Sequence, residues 1–301
     1  MVSVEHNLYI STSCIDGERN ISPVLRRLAS LGILNVELSG PHPYVLKDDL
    51  IKELLYWREQ GMSFLLHNYF PPPENDFVLN LASFNEDIHF KTVGLVSEAL
   101  ELANIVGAPI YGCHAGYLAD AIAQPDGTFS FTGETESHEK CVEQVAATIK
   151  EIFTNNIKIP HRGILLENLF PLSRNETFSL ACDPQEIKYL FDFLNDSRVG
   201  LLLDLAHLEL TCQLKQYAVD KALDEIIDSF SDKILEIHLS GHDGKRDMHS
   251  TIKSDSWQLA ALKNIKYLLV DNKDICITLE SRKLTNGELL NQIELLNETL
   301  S

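Results

Sequence analysis

The sequence has no apolar run approaching the roughly 20 residues that cross a bilayer, which excludes a membrane-spanning helix. Its first residues, MVSVEHNLYIS, lack a basic segment followed by a long apolar one. No secretory signal is therefore expected, and a cytoplasmic location is the default. Basic residues are scarce: 25 Lys and Arg stand against 44 Asp and Glu, a formal charge of −19. Such a chain is not drawn passively to nucleic acid or to an anionic membrane, so DNA is a disfavoured partner. A phosphate-bearing substrate stays open, because bound divalent cations reverse the sign locally. Cysteine pairs are missing too. The six cysteines (Cys14, Cys113, Cys141, Cys182, Cys212, Cys276) are scattered without a C-x-x-C, which argues against a zinc ribbon or a dithiol redox centre. There is no G-x-S-x-G elbow and no G-x-G-x-x-G after a strand, and Gly244-Lys245 has no upstream phosphate-loop glycine.

What is present is a recurring pattern of short apolar runs that end in a carboxylate or an imidazole. They read FLLH to His67, IYGCH to His114, ILLE to Glu167, LLLD to Asp204, EIH to His238 and ITLE to Glu280. His207 follows Asp204 by three residues. In a parallel barrel the apolar residues fill the interior and the helix interface, and the last strand residue points into the mouth. A Glu/Asp/His mixture suits hard or borderline divalent cations rather than thiolate-loving ones.

The strands predicted from these runs are Leu8–Thr12, Asn35–Leu38, Ser63–His67, Pro109–His114, Gly163–Glu167, Val199–Asp204, Ile234–Leu239 and Asp274–Glu280. Stretches of helical period lie between them, near 21–31, 47–60, 86–106, 134–155, 184–195, 217–230, 256–270 and 286–299. Strict strand–helix alternation predicts an α/β fold, a single (β/α)8 barrel, with residues 1–301 as one domain. Helix starts are marked: Asp183-Pro184 with Glu186 and Thr285 with Glu288 are capping signatures, and Ser22-Pro23 opens the first helix. The loops after His67, His114, Glu167 and His238 are long, whereas Gly32, Gly61 and Gly107 mark short turns before strands. In a barrel, functional loops follow strands.

The loop after His238 adds His242-Asp243 and Asp247-Met248-His249. Asp247 and His249 put an oxygen and a nitrogen side by side and are read as ligands, while His242 and Asp243 are read as solvated loop. Arg162, Arg174, Lys245, Arg246 and Arg282 are candidate phosphate contacts, with Arg174 and Arg282 preferred because both lie downstream of a strand-end Glu. Tyr69 and Phe70 are candidate walls of the pocket.

The chain resembles the xylose isomerase-like TIM barrels (AP endonuclease family 2), the superfamily that includes endonuclease IV and many sugar isomerases and epimerases. The resemblance rests on His67-Asn68-Tyr69, Asn80-Leu81-Ala82-Ser83, His114-Ala115-Gly116, Glu167-Asn168, Asp204-Leu205-Ala206-His207, His238 with Asp247-x-His249, and Glu280. It implies that the nine metal ligands of endonuclease IV have counterparts in His67, His114, Glu167, Asp204, His207, His238, Asp247, His249 and Glu280. On such a set endonuclease IV holds three zinc ions; manganese or iron also suits the mixture. In the isomerases a smaller group, resembling Glu167, Asp204, His238 and Glu280, holds one or two metals. The chain departs from endonuclease IV in Leu169-Phe170-Pro171-Leu172, where that enzyme is glycine-rich. It also has Ser250-Thr251-Ile252-Lys253 after His249, and YISTSCIDG as its first strand. The N-terminal unit, with Glu37 ending the second strand, looks more like the sugar isomerases.

Two reactions follow as expectations. The first is endonuclease IV-like hydrolysis of a phosphoester in a small or abasic-like sugar phosphate, at a multinuclear metal site. The alternative is isomerisation or epimerisation of a sugar or sugar phosphate with Glu167 and Glu280 as the acid/base pair. A barrel retained only for binding finds no support, since no member of the ligand set is missing.

Overall fold

The computed structural model describes residues 7–124, 129–155, 158–171 and 178–301. Its elements in order are β1 (Leu8–Ser11), α1 (Ile21–Ser30), β2 (Asn35–Leu38), α2 (Lys47–Glu59), β3 (Ser63–His67), α3 (Glu86–Val106) and β4 (Tyr111–His114). A hairpin, β5 (Asp120–Ala123) with β6 (Phe129–Thr132), comes next, then α4 (His138–Asn155), β7 (Ile164–Glu167), α5 (Pro184–Leu194) and β8 (Val199–Asp204). The chain ends with α6 (Leu205–Lys215), α7 (Val219–Phe230), β9 (Ile234–Leu239), α8 (Trp257–Asn264), α9 (Lys266–Asp271), β10 (Cys276–Leu279) and α10 (Asn286–Leu300). β1, β2, β3, β4, β7, β8, β9 and β10 form a closed barrel of parallel strands, as the alternation predicts. Closure is made by the first and last strands, with Leu8 opposite Ile277 and Ile10 opposite Leu279.

The two-residue period of a strand sorts the barrel residues. Val36, Leu38, Leu66, Tyr111, Cys113, Leu166, Leu203, Ile237, Ile277 and Leu279 belong to the large outer core shared with the helices. Cys113 therefore points away from His114, as alternation requires. Tyr9, Leu65, Ile110, Leu165, Leu202 and Cys276 fill the barrel itself as an apolar plug. One pleat above that plug the inward positions turn polar. Leu65 is followed by His67, Leu165 by Glu167, Leu202 by Asp204, and Cys276 by Thr278 and then Glu280. The plug shuts the base, and carboxylates and imidazoles stand above it.

Helix starts that place the strands follow the sequence. Asp183 accepts from the N–H groups of Gln185 and Glu186, with Pro184 in the first turn, and Thr285 with Glu288 forms a complete capping box. At α1 the capping position is Asn20, one residue before the helix, rather than Ser22. Gly163 opens β7 at φ +84, and a Cβ there would stand 1.9 Å from the Arg198 carbonyl oxygen. Gly163→Ala is expected to destabilise the protein by more than about 3 kcal/mol, or to prevent soluble expression. Thermal unfolding checks this, and a melting temperature equal to wild type would contradict it.

Three elements differ from the sequence reading. α6 is absent from it, because Leu205, Ala206, Leu208, Leu210 and Cys212 are all buried and its apolar residues surround it instead of forming one stripe. The hairpin β5–β6 stands where the sequence reads as a loop; Phe129 and Phe131 pack with Tyr117 and Leu169 in a small core of their own. The expected helix 256–270 breaks into α8 and α9 at Ile265.

Candidate metal centre

The six strand-end residues converge at the C-terminal mouth of the barrel. His67, Glu167, Asp204, His238 and Glu280 are buried there, and the His114 side chain is 19 % exposed. Glu167 is the hub. Its Oε2 lies 3.4 Å from His67 Nε2 and 3.5 Å from His114 Nε2, and its Oε1 lies 3.3 Å from His207 Nδ1. Glu280 Oε2 lies 3.5 Å from His238 Nδ1 and 3.6 Å from His249 Nδ1. His67, His114 and Glu167 offer atoms within 4.8 Å of one another, and so do Glu167, Asp204, His238 and Glu280. The two groups share Glu167.

A third group borders them. His207 Nε2 is 3.4 Å from Asp247 Oδ2, which is 2.6 Å from His249 Nε2. The loop folds back over the mouth. Gly241 and Ser250 exchange backbone hydrogen bonds of 2.8 Å, and the Arg282 N–H donates to the His249 carbonyl at 2.6 Å. His249 takes a left-handed backbone conformation, φ 44, uncommon for a residue with a side chain. All nine predicted ligands thus form one connected cluster.

Residues next to these side chains hold them in place. Asp204 Oδ1 accepts the His207 N–H at 2.7 Å and so caps α6 with a strand-end carboxylate. Asn168 Oδ1 accepts the Asp204 N–H at 2.7 Å, and the Asn168 carbonyl lies 2.9 Å from His207 Nδ1. That contact leaves Nε2 of His207 facing Asp247. Asn68 Oδ1 accepts the His114 N–H at 3.0 Å while its amide nitrogen donates to His67 Nε2 at 2.6 Å. The Tyr117 hydroxyl meets His114 Nδ1 at 2.8 Å, which turns Nε2 toward Glu167.

The electrostatics are strongly divided. Burial drives the Glu167 carboxyl well above the usual carboxylate range, opposed by His207 and His238 and reinforced by Asp204 and Glu280. Burial acts on Glu280 in the same direction, but the imidazoles of His249 and His238 outweigh it and hold that carboxyl well below its ordinary value. Burial also lowers His67, and lowers His114 to about 3, keeping both neutral, the form that binds cations.

The donor set fits divalent metal. Glu167 Oε2, Asp204 Oδ2, His238 Nδ1 and His249 Nδ1 are buried without a hydrogen-bond partner among the described residues. Buried polar atoms left unpaired are costly, and a cation held among them satisfies several together. Oxygen and imidazole donors in these proportions suit zinc, manganese or iron.

The other predicted residues are distributed unevenly. Arg282 is exposed just past Glu280, makes no ion pair among the described residues, and its charge reaches His114. The Tyr69 hydroxyl accepts the Leu79 N–H at 2.9 Å, so it anchors the loop after β3. Phe70 is fully buried. Arg174 lies outside the described residues. Arg162 needs correction: it sits in the turn before β7, at the opposite end of the barrel, paired with Asp274. Turns that lead from a helix into a strand lie at the base, away from the mouth. Lys245 and Arg246 are exposed on the loop, Arg246 pairing with Asp243, and His242 pairs with Glu209. Sequence reasoning missed Glu236 and Thr278, and left Glu37 without a partner. Both Glu236 and Thr278 lie two residues before a strand-end ligand, and that spacing was the available signal.

A (β/α)8 barrel whose C-terminal mouth gathers carboxylates and imidazoles defines a class of barrels equipped for divalent cations. A family profile described as Xylose isomerase-like TIM barrel matches residues 25–296, and the chain belongs to that family. No curated protein matches the sequence. Among solved structures, a D-tagatose 3-epimerase-like protein superposes with a TM-score of 0.73 at 18% identity, covering 98% of this chain and 97% of that one. The 3-keto-D-glucoside 4-epimerase of E. coli gives 0.66 at 14% identity, covering 98% and 99%. Endonuclease IV from Thermus thermophilus gives 0.62 at 16% identity, covering 98% of each. Solved structures of this fold thus include both a nuclease and sugar epimerases. Likeness at these identities establishes the fold alone. No helix of the described residues is long and apolar enough to cross a membrane.

Proposed function

We propose that this chain is a divalent-metal-dependent phosphoester hydrolase with a multinuclear centre of about three ions, acting on a small or abasic-like sugar phosphate. One observation carries the reading: Glu167 belongs at once to the group with His67 and His114 and to the group with Asp204, His238 and Glu280. His207, Asp247 and His249 complete a third set beside them. His67 and His114 are the residues that a single-cation isomerase has least need of. Cations held by these residues would supply Lewis-acid activation of phosphoryl oxygens and of a water molecule. Glu167 would be shared between the two groups, and one of the carboxylates Glu167 and Glu280 would accept the proton that the water loses. Glu280, held ionised by His249 and His238, keeps its oxygens available. Arg282, two residues past Glu280 and without an ion pair among the described residues, is the phosphate contact in this reading, and Arg174 is the second candidate that the sequence offers. Tyr69 shapes the wall of the mouth. Zinc is the first choice of metal, with manganese or iron as alternatives.

A second reading is favoured by the compactness of the Glu167, Asp204, His238 and Glu280 set, whose ligand atoms all lie within 4.8 Å. That set alone suits one cation in a sugar isomerase or epimerase, with Glu167 and Glu280 exchanging the substrate proton. Elemental analysis of purified protein decides: about three ions per chain supports the hydrolase and one supports the isomerase. In the His67→Ala/His114→Ala double variant the hydrolase reading expects about one ion fewer per chain. Unchanged metal content together with lost sugar turnover would refute it.

A further inference from the structure

Below the ligand ring lie two carboxylates that the reaction does not use. Glu37 on β2 and Glu236 on β9 are both fully buried inside the barrel. Glu236 Oε1 accepts the Thr278 hydroxyl at 2.6 Å, and no lysine or arginine pairs with either acid among the described residues. Two charges buried this way are expensive unless something nearby compensates them. Both converge on one nitrogen: His238 Nε2 is 2.8 Å from Glu37 Oε2 and 3.3 Å from Glu236 Oε1. The other ring nitrogen, Nδ1, faces Glu280 and lacks a hydrogen-bond partner. Gly112 keeps the space beside them open, since a Cβ there would come within 3.2 Å of His67 Nδ1 and 3.7 Å of Glu236 Oε2.

We infer that Glu37 and Glu236 are positioning residues for the metal centre, acting through His238. An imidazole that ligates a cation is neutral and carries one proton, on the nitrogen away from the cation. Two carboxylates beside Nε2 keep that proton there, which leaves the Nδ1 lone pair aimed at the group formed by Glu167, Asp204, His238 and Glu280. Carboxylate support of a ligating histidine fixes its tautomer and its ring angle. Glu37 with His67 and His238 also forms a compact ligand-like group. His238 Nε2, which lies 2.8 Å from Glu37 Oε2, already faces both carboxylates, so we read that group as support for the ring. Charge agrees. Glu37, Glu167, Asp204, Glu236, Asp247 and Glu280 are six carboxylates without a lysine or arginine partner among the described residues. Ionised together, the six would be balanced by about three divalent cations. The inference rests on the proposed cation-binding function of the mouth.

The test uses full-length protein, wild type, Glu37→Gln and Glu236→Gln, stripped of metal and titrated with zinc against a competing chelator. Each substitution keeps the shape and removes the charge. We expect the tightest-held ion to bind about 10- to 100-fold more weakly in both variants. The cation-free variants should melt no lower than cation-free wild type, because each has lost a buried charge. Unchanged zinc affinity overturns the inference. So does weaker binding accompanied by a lower melting temperature or unfolding of the cation-free variant, which would mark a merely structural role. A wild-type protein that takes up no zinc, manganese or iron would refute the functional reading itself. Wild type binding normally beside variants that bind equally well refutes only this step.

Discussion

Glu167→Gln is expected to lower turnover at least about a thousandfold and to reduce bound metal by more than one ion per chain. The size of the effect follows from the hub position of this side chain. His67, His114 and His207 all approach its two oxygens within 3.5 Å, and Asp204, His238 and Glu280 complete its second group. An amide keeps the volume but offers one neutral oxygen where two charged ones stood. Both groups that share the residue are impaired together. Removing an outlying ligand, such as His249, should affect one group only. Elemental analysis with a phosphomonoester and sugar assay panel measures both quantities. Metal content unchanged within one-tenth of an ion, with activity preserved, would show that Glu167 holds nothing.

Stripping the metal with a chelator is expected to lower the melting temperature by on the order of 10 °C. A ligand present at a hundredfold excess over its dissociation constant stabilises by about 2.7 kcal/mol, and several ions contribute together. The cation-free molecule is left with carboxylates buried beside one another, Glu167 next to Asp204 and Glu37 next to Glu236, without compensating cations. Adding zinc back should restore the transition. An identical melting curve with and without chelator, in protein shown by elemental analysis to have carried metal, would mean that the ions contribute nothing to stability.

The legible part of this molecule is the part governed by strand alternation. Each of the six strand-end candidate ligands terminates an apolar run, so its position and inward direction followed from the period alone, and the barrel followed from the spacing of those runs. Asp247 and His249 were harder, because a loop has no period; their place depends on the Gly241–Ser250 backbone pairing and on the His249 backbone conformation, which short-range sequence does not display. Glu37 and Glu236 illustrate the opposite problem. Their spacing was regular, but a carboxylate one pleat below a rim looks like an ordinary polar residue until its burial and its distance to His238 are known. Arg162 failed for a simpler reason: proximity in sequence to the start of a strand is proximity to the wrong end of the barrel. α6 escaped because a helix covered on most sides has no polar face to give it a period.

Barrel closure has a consequence for synthesis. Glu280 is carried at the end of the strand that pairs with β1, so the centre is incomplete until the two ends of the barrel meet. A nascent chain on the ribosome can present His67, His114 and Glu167 long before it presents Glu280. On the proposed function, metal loading of the complete site falls after translation through that residue, and a chain stalled earlier exposes acids and imidazoles with nothing to enclose them.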